Sequence, residues 1–315
     1  MFLLALDSLD NLEEIYRARP DGVIVGVKGF SVRSRADLDA EDFAKAVRGF
    51  EKHGIALFAN MQAMLEEKDV EKARKALRTV LQAGAAGVYI ADDGYITLAD
   101  EIRENPQENL RTKLIMQPET LLASGEDAAF YLNQSLQAAA LSHELTLQEI
   151  EAAAQTISEQ NSVRSNERVP GGLDVLIAGY YSWMESRRPL LLNYLRFTGD
   201  EESFQDGKVY TIQEQQRDFR LPIIQDEKGT HVFSNQPMQA ARDYLAMKAA
   251  GIQRFRIDAA LKGNAWGLEM LERYRALEAG SEDAFKPEDS TLFEEESLIK
   301  KEREVVERGH NRGKN

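Results

Sequence analysis

A chain of 315 residues that is 43% hydrophobic can bury one large core, and α/β barrels use this length as a single domain. It has no cysteine, which excludes disulfides, thiolate-bound zinc, an iron–sulfur cluster held by its own sulfurs and any thiol chemistry. The formal net charge of −14 repels phosphate backbones, so a nucleic-acid role calls for a local basic patch or a basic partner, although the same acidity also serves plain solubility. No apolar run approaches the roughly 18 to 20 residues that cross a bilayer, and MFLLALDSLD turns acidic before a signal-peptide core develops. The expectation is a soluble, cytoplasmic protein with no membrane association.

Along the chain, amphipathic helical stretches ending near a glycine lead into short runs of Val, Ile, Leu, Phe and Ala, as in RPDGVIVGVKG, HGIALFAN, AGAAGVYIAD and AGIQRFRIDA. Continuous apolar strands fed by helices fit a parallel sheet whose two faces are both covered. Strands are predicted at residues 3–6, 23–26, 56–60, 87–91, 114–117, 138–142, 175–179 and 254–257, with helices at 9–18, 40–53, 70–83, 96–104, 127–133, 147–159, 240–250 and 265–279. Asp39 and Thr146 stand at N-cap positions, and Thr146 with Glu149 makes a capping box. Eight βα units predict an α/β fold of the (β/α)8 TIM-like barrel type, with an open doubly wound sheet as the alternative.

Residues 180–238, between the seventh and eighth strands, exceed an ordinary βα loop by far. LLLNYLRF, KVYTIQ and LPIIQDEKGTHVFS read as short antiparallel strands, with DEKG as a tight turn, which predicts a β-hairpin insertion over the barrel mouth. SEQNSVRSNERVPGG reads as a loop or weakly ordered crossover, and residues 281–315 as a charged tail beyond a barrel unit of residues 1–280.

In such a barrel the βα loops gather at the C-terminal ends of the strands, where reacting groups lie. Strand ends select Asp7, Lys28, Arg33, Asn60, Asp92, Glu119, His143, Glu144, Arg256 and Asp258. The cations among them can hold an anionic small molecule by bidentate pairing, and the whole set can equally form a structural ion-pair ring. His143 suits proton transfer near neutral pH, or a plain structural hydrogen bond; His231 within THVFS favours the structural role. Tyr180, Tyr181 and Trp183 beside Arg187 and Arg188 form an aromatic–basic cluster suited to a protein interface, to stacked bases or to rim packing. No HExxH helix, GxSxG elbow or cysteine nucleophile is present, and no base stands beside Ser182 in sequence.

The stretch DVLIAGY, YSWMESRRPLLLNY and THVFS resembles the signature of the collagenase-like peptidase family U32, in Gly179, Arg188, Asn193, Tyr194, Thr230 and His231. Where cysteine-bearing members carry a His and two Cys, this chain has Ala178, Ser182 and Pro189, and a third Cys position falls on Gln239. GVKGFSVR, with Gly26, Phe30 and Arg33, is similar to the family's Gly-x-x-x-Phe-x-x-Arg element. Asn60, Asp92, Glu119-Thr120, SHELTLQEI with His143 in place of Arg and Glu144 retained, and FRIDAAL with Arg256 and Asp258 follow in family order, from about Val23 to Tyr274. The resemblance implies either a peptidase or a part in RNA hydroxylation, including prephenate-dependent 5-hydroxylation of the tRNA wobble uridine. The chain looks like a shorter, cysteine-free branch that accompanies a cysteine-bearing paralogue. That implies an iron–sulfur cluster in the partner, prephenate as a co-substrate, no metal and no catalytic residue assignable here, and tRNA reached through the complex.

Overall fold

The computed structural model describes residues 1–163, 171–213 and 219–286. In chain order it contains β1 (Phe2–Ala5), α1 (Leu12–Ala18), β2 (Gly22–Val27), β3 (Asp37–Leu38), α2 (Ala40–Glu51), β4 (Ala56–Asn60), α3 (Val70–Gln82), β5 (Gly87–Ile90) and α4 (Gly94–Ile102). Then come β6 (Leu114–Met116), α5 (Gly125–Asn133), β7 (Ala138–Ala140), α6 (Leu147–Val163) and β8 (Gly172–Gly179). The excursion comprises β9 (Ser182–Ser186), α7 (Leu190–Thr198), β10 (Val209–Ile212), β11 (Leu221–Asp226) and β12 (Gly229–Phe233). β13 (Met238–Gln239), α8 (Tyr244–Ala249), β14 (Arg254–Asp258) and α9 (Asn264–Glu278) complete the described chain.

Strands β1, β2, β4, β5, β6, β7, β8 and β14 pair in parallel in that order, and β14 returns to β1, so the sheet closes into an eight-stranded barrel. The short β3 adds beside β2, and β13 lies antiparallel on β8. Both faces of each strand are covered, which is why the strand sequences are nearly unbroken apolar runs. Outward residues such as Val25, Leu57, Val88 and Ile257 pack under the helices, in a core that also takes Phe43, Leu77, Tyr244 and Tyr274. The box at the start of α6 forms as expected: Glu149 donates its N–H to the Thr146 hydroxyl at 3.3 Å, and Glu149 Oε2 accepts the Thr146 N–H at 2.7 Å. At α2, Asp39 makes no side-chain cap.

Inside the barrel the side chains change character with height. The lower interior holds Leu3, Ile24, Phe58, Tyr89, Ile115 and Ala138. A Cβ on Gly22 or Gly87 would come within 2.9 Å of the Phe58 ring, so glycine there makes room for the largest interior side chain. Above this layer the interior turns polar. Asp174 is fully buried, accepts the Tyr89 hydroxyl at 2.7 Å and pairs with the Arg256 Nε.

The excursion is larger than the β-hairpin insertion expected of it, with KVYTIQ and LPIIQDEKGTHVFS forming β10, β11 and β12 as antiparallel strands. The β11–β12 hairpin is present, but it is the centre of a four-stranded antiparallel sheet ordered β10-β11-β12-β9. LLLNYLRF is α7, not a strand: Leu191 and Leu195, one turn apart, pack on Leu221, Ile223 and Val232 on one face of the sheet. The opposite face, carrying Glu185, His231 and Phe233, turns toward the barrel. The expected crossover loop is shorter on its N-terminal side, since α6 continues to Val163; residues 164–170 lie outside the described residues. Of the expected tail, Phe285 packs on Tyr274 at 4.8 Å between ring centres, and residues 287–315 lie outside the described residues. Among the described residues no helix is long and apolar enough to cross a membrane.

Candidate functional site

The C-terminal end of the barrel opens into a cavity whose polar lining includes Arg33, Asn60, Gln62, Gln117, Glu119, His143, Arg256 and Asp258. Glu119, just past β6, is its electrostatic centre. Its Oε1 accepts from Arg33 Nη2 at 2.5 Å and from Gln117 Nε2 at 3.1 Å, while its Oε2 lies 3.8 Å from His143 Nδ1. Gln62 Nε2 donates to the Gln117 carbonyl at 3.0 Å, and Asn60 bridges the Val32 carbonyl and the Gln62 N–H. These amides hold the loops after β2, β4 and β6 in register around the carboxylate. Arg33 and Glu119 both adopt left-handed backbone conformations, with φ of 56° and 57°. Each such conformation costs on the order of 1–3 kcal/mol for a residue with a side chain, and residues held this way concentrate at functional sites.

Proton affinities in the cavity are pushed apart. Burial favours the neutral form of Glu119, but the charges of Arg33 and Arg256 outweigh it and hold its carboxyl below the usual range. Burial lowers the proton affinity of His143, opposed only in part by Glu119 and Glu144, so its imidazole is neutral at pH 7. Burial lifts Asp258 to about 6, against the opposing hydrogen bond from the Ala260 N–H and the Arg256 charge. The cavity thus combines a fixed carboxylate, a neutral imidazole and a carboxyl that titrates near neutrality, the separation by which one site supplies both an acid and a base. His143 Nε2 is buried with no hydrogen-bond partner, and the ring packs 4.7 Å from that of Tyr181. The chemistry on offer is a proton accepted or donated at His143 Nε2 or Asp258, beside two arginines held by carboxylates, Arg33 by Glu119 and Glu185 and Arg256 by Asp174.

Of the residues selected from sequence, Arg33, Asn60, Glu119, His143, Arg256 and Asp258 meet in this cavity. Lys28 lines a neighbouring cleft with His231. Asp92 lies outside the cavity and binds the N–H groups of Leu65 and Gly94, a loop-shaping role. Glu144 is exposed, near enough for its charge to act on His143. In the signature loop, Gly179 abuts Asp258: a Cβ there would stand 2.8 Å from the Asp258 carbonyl oxygen. Thr230 donates to the Arg188 carbonyl at 2.8 Å and accepts the Leu190 N–H at 2.9 Å, fixing the turn into α7. The side chains of Arg188, Asn193 and Tyr194 are exposed. The aromatic–basic cluster is dispersed, since Tyr180 and Tyr181 line the cavity, Trp183 stacks on Phe219 and Arg187 pairs with Glu66. Sequence reasoning missed Gln62, Gln117, Asp174 and Glu185. The two glutamines carried a weak signal as polar residues just after apolar strands.

A family model described as peptidase family U32 matches residues 7–313. The chain belongs to peptidase family U32. The chain is 22% identical to the tRNA hydroxylation protein P2 of Bacillus subtilis (strain 168) over 276 residues, 87% of this chain and 84% of that protein. It is also 22% identical to the 23S rRNA 5-hydroxycytidine C2501 synthase of Escherichia coli (strain K12), covering 82% of this chain but only 36% of the synthase. The solved structure of the U32 peptidase Mk0906 aligns with a TM-score of 0.47 at 14% identity, over 83% of this chain and 93% of that one. Of the four positions that the resemblance sets against a His and cysteines, Gln239 pairs with Ala178 across β13 and β8, and Ser182 lines the cavity. Ala178, Ser182, Pro189 and Gln239 offer neither thiolate nor imidazole, so they do not fit an iron–sulfur cluster.

Proposed function

We propose that this U32 chain is a non-cluster subunit in prephenate-dependent 5-hydroxylation of the tRNA wobble uridine, working in the cytoplasm with a cysteine-bearing U32 paralogue that holds the iron–sulfur cluster. The observation that carries the reading is the nearly end-to-end match to a tRNA hydroxylation protein, over 87% of one chain and 84% of the other. The cavity is consistent with it. Arg33 and Arg256 would exchange protein carboxylates for those of a small acid such as prephenate, and Tyr180 and Tyr181 in the wall suit a planar group. The test is affinity capture of the tagged chain from its own cytoplasm under anaerobic conditions, with mass spectrometry of bound proteins and RNA. Recovery of a cysteine-bearing paralogue supports the reading, and recovery of the chain alone counts against the partner.

Peptidase activity, after which the family is described, is the second reading, and the sharing of one cavity by Ser182 and His143 favours it. Pure protein that leaves casein and collagen intact, with and without divalent metals, removes it.

A further inference from the structure

The barrel mouth is the smaller of two adjoining recesses. Between the loop after β2 and the inner face of the insertion sheet lies a cleft of about 340 Å³, against about 50 Å³ for the mouth cavity. Arg33, Ser34 and Phe233 line both, so the two share a wall.

Four cations, Lys28, Arg33, Arg35 and Lys228, line this cleft. Arg33 is engaged by Glu119 and Glu185, and Arg35 by Asp7 at 2.8 Å. Lys28 and Lys228, in contrast, form no ion pair among the described residues, and the Lys228 ammonium stands 5.7 Å from the centre of the Phe30 ring. The acidic residues of the lining are otherwise occupied or peripheral. Asp226 accepts the Lys228 N–H at 2.8 Å and meets His231 Nε2 at 3.2 Å, Asp37 accepts the Ser31 hydroxyl at 3.0 Å, and Asp206 and Glu227 lie on the exposed rim. His231 is fully buried in the cleft wall, and its Nδ1, without a hydrogen-bond partner, stands 4.0 Å from Glu185 Oε2. Lys28 is exposed and Lys228 half-buried, so both stay solvated, and two ammonium groups with no ion-pair partner on one recess are available to an anion that enters it.

We propose that this cleft is a phosphate-binding site, in which Lys28 and Lys228 neutralise a phosphate group lying beside the barrel mouth. The source of the phosphate rests on the RNA reading above: it is the backbone phosphate next to the nucleotide presented to the mouth. A free phosphorylated small molecule is the same chemistry from another source.

The test uses the full chain and the double variant Lys28→Ala/Lys228→Ala, both at exposed or rim positions, titrated with uridine 5′-monophosphate, uridine and labelled tRNA. The monophosphate is expected to bind at least about tenfold more tightly than uridine, and the double variant to lose that advantage. For tRNA, the slope of log affinity against log salt should become shallower by about 0.7 to 0.9, the share of one neutralised phosphate. Loss of monophosphate binding with tRNA binding unchanged keeps the phosphate site and assigns it to a small molecule. Hydroxylated uridine measured in a strain lacking the gene then decides the RNA reading separately. No preference for the monophosphate over uridine in the wild type, or equal binding by wild type and double variant, overturns the site.

Discussion

The two halves of the barrel interior obey opposite rules. Below, Phe58 is fitted against Gly22 and Gly87 among Leu3, Ile24 and Ile115 in a close-packed, mainly apolar plug. Above, Tyr89, Asp174 and Arg256 form a buried polar step, and over it stand Glu119, His143, Asp258 and Arg33, several with displaced proton affinities and two with left-handed backbones. The lower half secures the fold, and the upper half spends stability on charges held ready for a ligand.

The largest effects should come from the boundary between the halves. Asp174→Ala leaves Arg256 buried and unpaired and should cost about 3–5 kcal/mol in denaturant unfolding. Phe58→Ala, within the plug, should cost a similar amount, about 3–5 kcal/mol, by opening a cavity that the surrounding strands cannot close. A Phe58→Ala variant as stable as wild type would break the comparison from below.

The next effect is in pH. The folded state holds a proton on Asp258 up to about 6, above the unfolded carboxyl value, so it binds more protons than the unfolded chain between roughly pH 4 and 6. This contribution to stability is therefore present at pH 4 and lost as pH rises through 6. Asp258→Asn should remove that slope, stabilising the protein at pH 7.5 relative to wild type by on the order of 1–2 kcal/mol and changing little at pH 4. The smallest expected shift is for Arg33→Gly, which trades ion pairs at the mouth for relief of a left-handed backbone and should stay within about 1 kcal/mol of wild type. A large loss of stability in that variant would make Arg33 a structural clamp and move it out of the functional layer.

The barrel was legible in the sequence because parallel strands buried on both faces must be short apolar runs fed by helices, and all eight expected strands occur near their expected positions. The excursion was less so. LLLNYLRF is as apolar as a strand, and only the spacing of Leu191 and Leu195 on the sheet marks it as a helix. In the site, the rule that chemistry gathers at strand ends selected Arg33, Glu119, His143, Arg256 and Asp258, but it selected Asp92 and Glu144 equally well. Those two diverge because side-chain direction after a strand end depends on loop conformation, which spacing does not carry. Asp174 escaped notice at the start of an apolar strand, since its partners Tyr89 and Arg256 come from strands 85 and 82 residues away.

The most direct test of the account is nucleoside mass spectrometry of total tRNA from a strain lacking this gene and any redundant hydroxylation route, complemented with wild type or with Glu119→Gln. The account predicts that 5-hydroxylated uridine disappears on deletion, returns with the wild-type gene and fails to return with a folded Glu119→Gln protein. Unchanged modification in the deletion strain, or full restoration by Glu119→Gln, would contradict it.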